Sequence, residues 1–348
     1  MRILVCGDVH WSNYSSILRR RGTDYSKRLE NCINSINWVE QTAEDYSCDC
    51  VVYLGDWFDR SDLNSEEISA LNEVSFGDMF HTVIVGNHEL GSANGDYSTT
   101  KVLSLLPDFE VISTPLCKKS STANLVFIPY IFERDRKTLR EYLEECGYDS
   151  NKPTIVFSHN DLRGVNYGAF VSKEGFDIKD INGSCDLFLN GHIHNGHPIT
   201  DKIINVGNIT GQNFNEDANE YDHNVYILDT ETFELFYVTN PYAYNFYKEE
   251  VSSEKDISKL IGKLKNHSVV SVKCLEHLVP KLKEELENCT KIEEYRVVTV
   301  IEETEAPKED IKELLSADHL SQFKEYVLEK LGGSDAVLKE LQEVVGVN

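Results

Sequence analysis

The sequence predicts an α/β fold in which two packed sheets are flanked by helices. Between residue 2 and about residue 240, short apolar runs alternate with connecting segments, and the connection at residues 29–39 carries apolar side chains every three or four positions, as an amphipathic helix does. Such alternation is typical of layered α/β folds. Later apolar runs at 203–206, 225–228 and 234–238 are separated by short polar segments, which predicts neighbouring antiparallel strands that complete a second sheet.

The pattern changes after Pro241. A strand at 269–275, a helix at 278–287 and a strand at 296–301 predict a small α+β unit, and a polar, proline-ended segment follows it. We therefore expect three parts, namely a large domain at residues 1–243, a small α+β domain at 244–303 and a C-terminal helical segment at 304–348.

The C-terminal segment carries two apolar stripes at helical spacing. The first contains Leu320, Phe323, Val327 and Leu331, and the second contains Val337, Leu338, Leu341 and Val345. Short amphipathic helices need a surface to pack on. The sequence leaves open whether that surface belongs to the same chain or to the helices of a partner.

Composition indicates an ordinary globular protein of 348 residues with 41% hydrophobic content. The net charge of -25 means that the molecule as a whole repels polyanions, so a nucleic-acid substrate would need a local cationic feature or a partner. No apolar run approaches the roughly 18 to 20 residues of a membrane span, and nine cysteines without a Cys-x-x-Cys pair indicate reduced thiols. We therefore expect a cytoplasmic protein without membrane association.

Five of the apolar runs stop just before residues that can bind a metal ion. In chain order the runs are 2–6, 51–54, 82–85, 154–157 and 186–189, and the candidate ligands that follow them are Asp8 and His10, Asp56, Asn87, His159, and His192 with His194. Ligand sites in layered α/β folds lie beyond the carboxyl ends of the strands. One shared site, built from carboxylate, imidazole and amide groups, accounts for all five.

The charge of these ligands indicates the chemistry of the site. Two divalent ions would carry four positive charges, and Asp8 and Asp56 return only two negative ones, so the site would attract a phosphodiester. A pair of ions can also lower the pKa of a shared water toward neutrality. Nitrogen and oxygen ligands suit manganese, iron or zinc and do not choose among them.

His88 is left over, because its neighbour Asn87 already serves as a ligand and adjacent side chains diverge. An imidazole titrates near neutrality, so His88 could protonate or orient the departing oxygen of a substrate. The other interpretation is structural, in which His88 only hydrogen-bonds a supporting carboxylate such as Asp59.

The motifs Asp-x-His, Gly-Asp-x-x-Asp, Gly-Asn-His-Glu, a lone His and Gly-His-x-His, in this order, resemble the calcineurin-like metallophosphoesterase superfamily over roughly residues 1–240. Within it, Gly55-Asp56-Trp57-Phe58-Asp59 and the small α+β unit look most like the SbcD/Mre-type DNA-repair nucleases, including those of large phages. The resemblance implies a four-layer metallophosphoesterase-type β-sandwich with a small α+β capping domain and C-terminal helices that dock on a partner. It assigns Asp8, His10, Asp56 and His194 to one ion, Asp56, Asn87, His159 and His192 to the other, and His88 to the leaving group, with Mn²⁺ favoured over Fe²⁺ or Zn²⁺.

The leading functional hypothesis is a two-metal-dependent phosphodiesterase with a metal-bridging hydroxide as nucleophile, acting as the DNA endo/exonuclease subunit of an SbcCD-type recombination and repair complex. The resemblance implies an SbcC-type coiled-coil ATPase partner, a homodimer within a heterotetramer and, for a phage-encoded version, the host cytoplasm. Arg19, Arg20 and Arg21 are candidate DNA contacts or part of a solvated loop. The alternatives are a phosphatase or phosphodiesterase acting on small molecules or proteins, and a non-catalytic scaffold on the same fold.

Overall fold

A computed structural model describes residues 1–18, 21–92, 97–165 and 171–300. Within it, Met1–Val298 forms one compact unit, while the second unit, Thr299–Asn348, lies almost wholly outside the described residues. The two predicted apolar stripes of the C-terminal segment therefore lie outside the described part of the chain, as do Arg19 and Arg20. The three-part division of the chain stays a prediction.

Seventeen strands and six α-helices are present in the described residues. The strands are β1 (Arg2–Cys6), β2 (Cys50–Tyr53), β3 (Phe80–Ile84), β4 (Phe109–Ile112), β5 (Leu116–Lys119), β6 (Asn124–Ile128), β7 (Thr154–Ser158), β8 (Leu162–Arg163), β9 (Phe176–Asp177), β10 (Leu187–Asn190), β11 (His197–Pro198), β12 (Ile203–Asn205), β13 (Asn224–Asp229), β14 (Leu235–Thr239), β15 (Asn245–Val251), β16 (Ser268–Leu275) and β17 (Ile292–Val300). The helices are α1 (Lys27–Asp45), α2 (Ser65–Ala70), α3 (Leu139–Glu145), α4 (Ile178–Ser184), α5 (Glu254–Lys263) and α6 (Val279–Asn288).

Two six-stranded sheets form the body of the molecule. The first has the order β14-β13-β1-β2-β3-β4, in which β1 to β4 run parallel and β13 and β14 are antiparallel additions. The second has the order β11-β12-β10-β7-β6-β5, in which β12, β10, β7 and β6 run parallel. Parallel strands place their carboxyl ends at one edge of a sheet, so each sheet brings the ends of several strands together.

The layers follow from where the apolar side chains are buried. Ile3, Val52, Phe127 and Phe157 belong to one core that joins the inner faces of the two sheets. A second core packs α1 on the outer face of the first sheet, and a third packs α3 and α4 on the outer face of the second. The order helix, sheet, sheet, helix confirms the predicted α/β sandwich.

The helix predicted at residues 29–39 is α1. Its apolar positions face the core, and the side chain of Ser26 caps its first turn by accepting a hydrogen bond from the Leu29 N–H. Tyr244, just before β15, donates its hydroxyl to the Lys27 carbonyl at 3.1 Å.

One prediction about strand pairing is wrong. The runs at 203–206, 225–228 and 234–238 do form β12, β13 and β14, but only β13 and β14 pair antiparallel, and they extend the first sheet beside β1. Strand β12 instead pairs parallel with β10 in the second sheet. The apolar pattern marks these segments as strands, but it does not encode which edge they join.

After Pro241 the chain forms a three-stranded sheet in the order β15-β16-β17, with β15 and β16 parallel. Helices α5 and α6 cover one face of this sheet through a core that contains Val270, Val272, Leu260 and Leu282. Strand β15 and helix α5 were not among the predicted elements. Lys27 of α1 forms an ion pair with Glu293 of β17, which ties the small sheet to the large sandwich.

Among the residues that the structure describes, no helix is long and apolar enough to cross a membrane.

Candidate metal centre

All seven predicted metal ligands meet at the carboxyl ends of the strands that precede them. Asp8 and His10 follow β1, Asp56 follows β2 and Asn87 follows β3, all in the first sheet; His159, His192 and His194 follow β7 and β10 in the second. The site therefore lies where the strand ends of the two packed sheets face each other.

The first group of side chains that could hold a metal ion consists of Asp8, His10 and His194. The Asp8 Oδ2 atom lies 3.9 Å from His10 Nε2 and 4.0 Å from His194 Nε2. His10 Nε2 is also 3.8 Å from Asp56 Oδ2. Ligands about 2.0 to 2.2 Å from one ion lie roughly 3.0 to 4.2 Å from each other, so these separations suit a single ion.

The second group consists of Asp56, His159 and His192, with the amide of Asn87 beside it. His159 Nε2 lies 3.1 Å from both Asp56 Oδ2 and Asn87 Oδ1. His192 Nδ1 lies 2.9 Å from the same Asn87 oxygen. Because Asp56 Oδ2 is close to His10 on one side and to His159 on the other, Asp56 can bridge two ions.

Two buried atoms of this centre support metal binding independently of the spacing. Asp8 Oδ2 and His10 Nε2 have no hydrogen-bond partner among the described residues, although both side chains are fully buried. A buried polar atom without a partner costs about 1 to 3 kcal/mol. A divalent cation between them would satisfy both atoms, so the donor set fits the metals expected from the sequence.

The backbone is strained at three of the ligands. His10, Asp56 and His192 have φ angles of 51°, 45° and 74°, in the left-handed region that side chains other than glycine seldom adopt. The segments Asp8-Val9-His10 and His192-Ile193-His194 are therefore not extended throughout. The loop after β1 is held instead by the Asp56 carbonyl, which accepts hydrogen bonds from the N–H groups of Val9 and His10 at 3.1 and 2.9 Å.

Two glycines allow the ligand loops to approach each other. Gly55 has a φ of 99°, as expected for the tight turn before Asp56, and a Cβ atom there would lie 2.5 Å from His159 Nδ1. A Cβ atom on Gly86 would lie 2.1 Å from Asp56 Oδ1. A side chain at residue 55 would therefore collide with His159, and a side chain at residue 86 would collide with Asp56.

The carboxylates and imidazoles of the centre stabilise each other's charged forms. Burial lowers the pKa of His10, but the hydrogen bond with Asp59 and the nearby charges of Asp8 and Asp56 outweigh burial and raise it to about 10. Burial likewise lowers the pKa of His159, and the charges of Asp56 and Asp8 raise it to about 9. Burial raises the pKa of the Asp8 and Asp56 carboxyls. The charge of the His159 imidazole lowers the pKa of both, and the net shift is downward. A metal ion must therefore displace protons to bind.

His88 lies beside the ligands and is exposed to solvent, and its imidazole, with His10 and Asp56, forms a third group that could hold a metal ion. Its Nδ1–H donates to the Asp59 carbonyl at 2.8 Å, and its ring meets the His10 ring edge to face at 4.7 Å. The backbone N–H of His88 donates to Asp56 Oδ1 at 2.9 Å. The Asp59 carboxylate does not contact His88 in the way the structural interpretation supposed; it contacts His10 Nδ1 at 3.1 Å.

Three carboxylates that sequence reasoning did not single out hold the ligands in place. Glu216 contacts His194 Nδ1 at 2.9 Å, and Asp161 contacts His192 Nε2 at 3.3 Å. In both histidines, the carboxylate contacts the ring nitrogen that points away from the other metal-binding side chains. Glu89 accepts three backbone N–H groups, from Trp57, Phe58 and Gly86.

Only part of this support could have been found from the sequence. Asp161 stands two residues after His159, the same spacing that singled out Asp8 and His10, and Glu89 ends the Gly-Asn-His-Glu motif. Burial and the charge of Asp56 raise the pKa of Glu89 to about 8. Glu216 lies in an irregular loop with no periodic pattern, so nothing in the sequence points to it.

Of the three predicted arginine contacts, only Arg21 lies among the described residues. Its guanidinium is largely exposed, and its Nη1 donates to Glu66 Oε1 at 2.7 Å. The structure therefore shows Arg21 in a surface ion pair, outside the group of metal ligands.

Two solved structures of other proteins resemble this chain weakly. The structure of TT1561, a protein from Thermus thermophilus, shares 11% identity with a TM-score of 0.40, over 68% of this chain and 98% of its own. Another solved structure shares 10% identity with a TM-score of 0.38, over 69% of this chain and 98% of its own. A search of curated proteins returned no match.

A family model does match the chain. The model for calcineurin-like phosphoesterases covers residues 1–196, the segment that contains all seven ligands, His88 and the strands that carry them. The matched segment includes both ligand groups. The chain belongs to the calcineurin-like phosphoesterase family.

Proposed function

We propose that this protein is a DNA endo/exonuclease that hydrolyses phosphodiester bonds with two divalent ions, and that it works as the nuclease subunit of an SbcCD-type complex. Metal-dependent phosphoester hydrolysis follows from the family. The observation that carries the proposal is the pair of adjacent ligand groups, with Asp56 within 3.8 Å of His10 in the first and part of the second, and with His88 exposed beside them. Mn²⁺ is the proposed metal on the resemblance to the SbcD/Mre-type nucleases, and nitrogen and oxygen ligands without a thiolate are compatible with it.

The bound ions would supply hydroxide near neutral pH and neutralise the charge of the phosphate. The residues of the chain supply the rest of the proposed reaction. Asp56 holds the two ligand groups together, and Asn87, as a neutral amide, leaves more positive charge at the site than a third carboxylate would. The oxygen of hydroxide would form a bond to phosphorus while the bond from phosphorus to the leaving oxygen breaks, and the imidazolium of His88 would give its proton to that leaving oxygen.

One face of the small sheet supports a nucleic-acid substrate. Lys248 lies beside Ser271 in the strand register, Lys273 follows two residues later, and Arg296 Nη2 donates to Ser271 Oγ at 3.2 Å. Residues two apart in a strand share a face, so three cationic side chains lie together. Glu250 pairs with Lys273 at 2.9 Å and offsets part of this charge.

A groove of about 370 Å³ runs between this face and the large sandwich. Ile17 and Phe214 line it on one side, and Arg296 lines it on the other together with the acidic Glu294. In a molecule with a net charge of -25, the cationic face beside the groove, with Lys248, Lys273 and Arg296, is the kind of local feature that a polyanionic substrate needs. The proposed ATPase partner would supply further contacts to DNA.

A phosphatase or phosphodiesterase for small molecules or proteins is the alternative function. The acidic balance of the chain favours it, since repulsion of polyanions does not hinder a small substrate. The two functions use the same metal centre and differ only in what surrounds it.

The test compares substrates on the full-length protein loaded with Mn²⁺. Hairpin DNA and double-stranded DNA are set beside a phosphomonoester, p-nitrophenyl phosphate, with and without a co-expressed SbcC-type ATPase. We expect DNA cleavage that depends on Mn²⁺ and disappears in His88→Ala. Rapid turnover of the monoester without DNA cleavage under either condition would favour the alternative.

A further inference from the structure

A small polar cleft opens next to the metal centre. It has a volume of about 190 Å³ and lies between the segment that follows His10, the residue Asp59 and the loop at 211–213. Asp59 lies between the cleft and the metal centre, because its carboxylate contacts His10 and its carbonyl accepts a hydrogen bond from His88. The cleft therefore begins at the residue that touches both a metal ligand and the proposed proton donor.

A buried positive charge forms one wall of this cleft. The Arg28 side chain is 3% exposed and donates to the carbonyls of Val9, His10 and Gly211 at 3.2, 3.2 and 3.0 Å. Arg28 also donates to Thr210 and Asn31, whose side chains are neutral. No carboxylate accepts a hydrogen bond from Arg28 among these contacts, and the Asp59 carboxylate lines the same cleft, so the cleft carries both a positive and a negative group.

The other walls offer hydrogen-bonding groups and an aromatic ring. Gln212 Nε2 is buried and has no hydrogen-bond partner among the described residues. Ser15 Oγ accepts the N–H groups of Ile17 and Leu18 at 3.2 and 3.0 Å, which leaves its own O–H to donate. Tyr14 lines the cleft with a side chain that is 67% exposed, so its ring can stack on a bound group.

Size and chemistry together identify the occupant. The cleft is smaller than the roughly 300 to 1,000 Å³ of a pocket for a drug-sized ligand, so it takes one small unit. Donors on Gln212 and Ser15 and an acceptor on Asp59 suit a hydroxylated ring. An exposed tyrosine beside such a site is the kind of platform on which a nucleobase stacks.

We infer that this cleft is the subsite for the leaving nucleoside of a phosphodiester: its sugar contacts Gln212, Ser15 and Asp59, and its base stacks on Tyr14. The inference rests on the proposed function, and it adds which part of the substrate is recognised and where. The leaving oxygen then lies between this subsite and His88.

The test uses two phosphodiesters that differ in their leaving groups. The dinucleotide dTpdT carries a nucleoside on each side of the phosphate, and bis(p-nitrophenyl) phosphate carries none. For Tyr14→Ala, we expect kcat/KM for dTpdT, relative to kcat/KM for bis(p-nitrophenyl) phosphate, to fall about 5- to 100-fold, as loss of base stacking predicts. For Gln212→Ala, which keeps the backbone N–H that Glu216 accepts, we expect a fall of about 3- to 10-fold.

Tyr97→Ala is the matched control, because Tyr97 is 71% exposed and is not among the residues that line the cleft. Its kcat/KM ratio should stay that of the wild type. A ratio that is unchanged in both cleft variants, or that falls equally in Tyr97→Ala, would overturn the subsite.

Calorimetric binding of an uncleavable methylphosphonate analogue of dTpdT separates this inference from the proposed function. If the wild type binds the analogue, loses affinity in Tyr14→Ala and hydrolyses neither phosphodiester, the subsite stands and the proposed function fails. If the wild type hydrolyses both phosphodiesters, but the wild type and Tyr14→Ala bind the analogue with equal affinity, the subsite fails and the proposed function stands.

Discussion

Glu216→Gln tests whether the carboxylate behind His194 sets the metal affinity of the centre. Glu216 is almost fully buried; its Oε1 accepts His194 Nδ1 at 2.9 Å and Asn213 Nδ2 at 3.0 Å, and its Oε2 accepts the Gln212 N–H at 2.8 Å. In the variant, an amide oxygen at the Oε1 position keeps the first two bonds. The new –NH₂ group then faces the Gln212 N–H, so one bond and the negative charge are lost.

The expected result is a fall in Mn²⁺ affinity of about 10- to 100-fold, the usual effect of removing a carboxylate that orients a histidine ligand. This corresponds to roughly 1.4 to 2.7 kcal/mol of binding free energy. The measurement is a calorimetric titration of the metal-free protein with Mn²⁺, with circular dichroism to show that the fold is kept.

Glu220→Gln provides the control for Glu216→Gln. Glu220 is exposed on the same loop, so the control removes the same charge without touching His194. Equal Mn²⁺ affinity in Glu216→Gln and the wild type would refute the reasoning. An equal loss in both variants would show that only the net charge of the loop matters.

Three further predictions address the centre and its surroundings. His88→Ala should keep both metal ions and lower kcat about 10²- to 10⁴-fold, measured by metal analysis beside steady-state kinetics; loss of metal would make His88 structural. Asp56→Asn should weaken both ions together in a Mn²⁺ titration, and loss of only one would contradict its bridging position. The hydrogen bond from His267 lowers the pKa of Glu293 to about 2, from an ordinary value of 4.5. Lys27 lowers this pKa further, whereas burial opposes the shift. The ionised Glu293 therefore stabilises the folded state above pH 4.5, and this stabilisation is lost as the pH falls toward 2. Urea unfolding should give Glu293→Gln a lower free energy of unfolding than the wild type at pH 7. The difference should be smaller at pH 3.

Much of the fold was predictable because buried strands leave a simple mark. Runs such as 51–54 and 154–157 are apolar on both faces, as strands between two layers must be. The pairing of β12, β13 and β14 was not predictable, because an edge strand reads the same whichever sheet it joins. Strand β15 and helix α5 were missed, since the sequence of β15 is neither a long apolar run nor a regular alternation: Phe246 and Tyr247 are followed by Lys248, Glu249 and Glu250.

The ligands were predictable for a related reason. Each follows directly from the end of a strand, and parallel strands bring their ends together whatever the detailed packing. The supporting carboxylates do not share this property. Glu216 reaches His194 from a loop 22 residues away, and a contact of that kind depends on how the loop folds back.

The sequence by itself determined the kind of chemistry, because the identity and order of Asp8, His10, Asp56, Asn87, His159, His192 and His194 already specify a thiolate-free metal site. Only the tertiary structure decided how that site is held and what lies beside it. The carboxylates behind the imidazoles join segments that are far apart in the chain, and so does the cleft between Arg28, Asp59 and Gln212. The strained φ angles of His10, Asp56 and His192 occur where such segments meet. Such contacts are set by packing between the two sheets and the loops that cross them, and no local pattern encodes them.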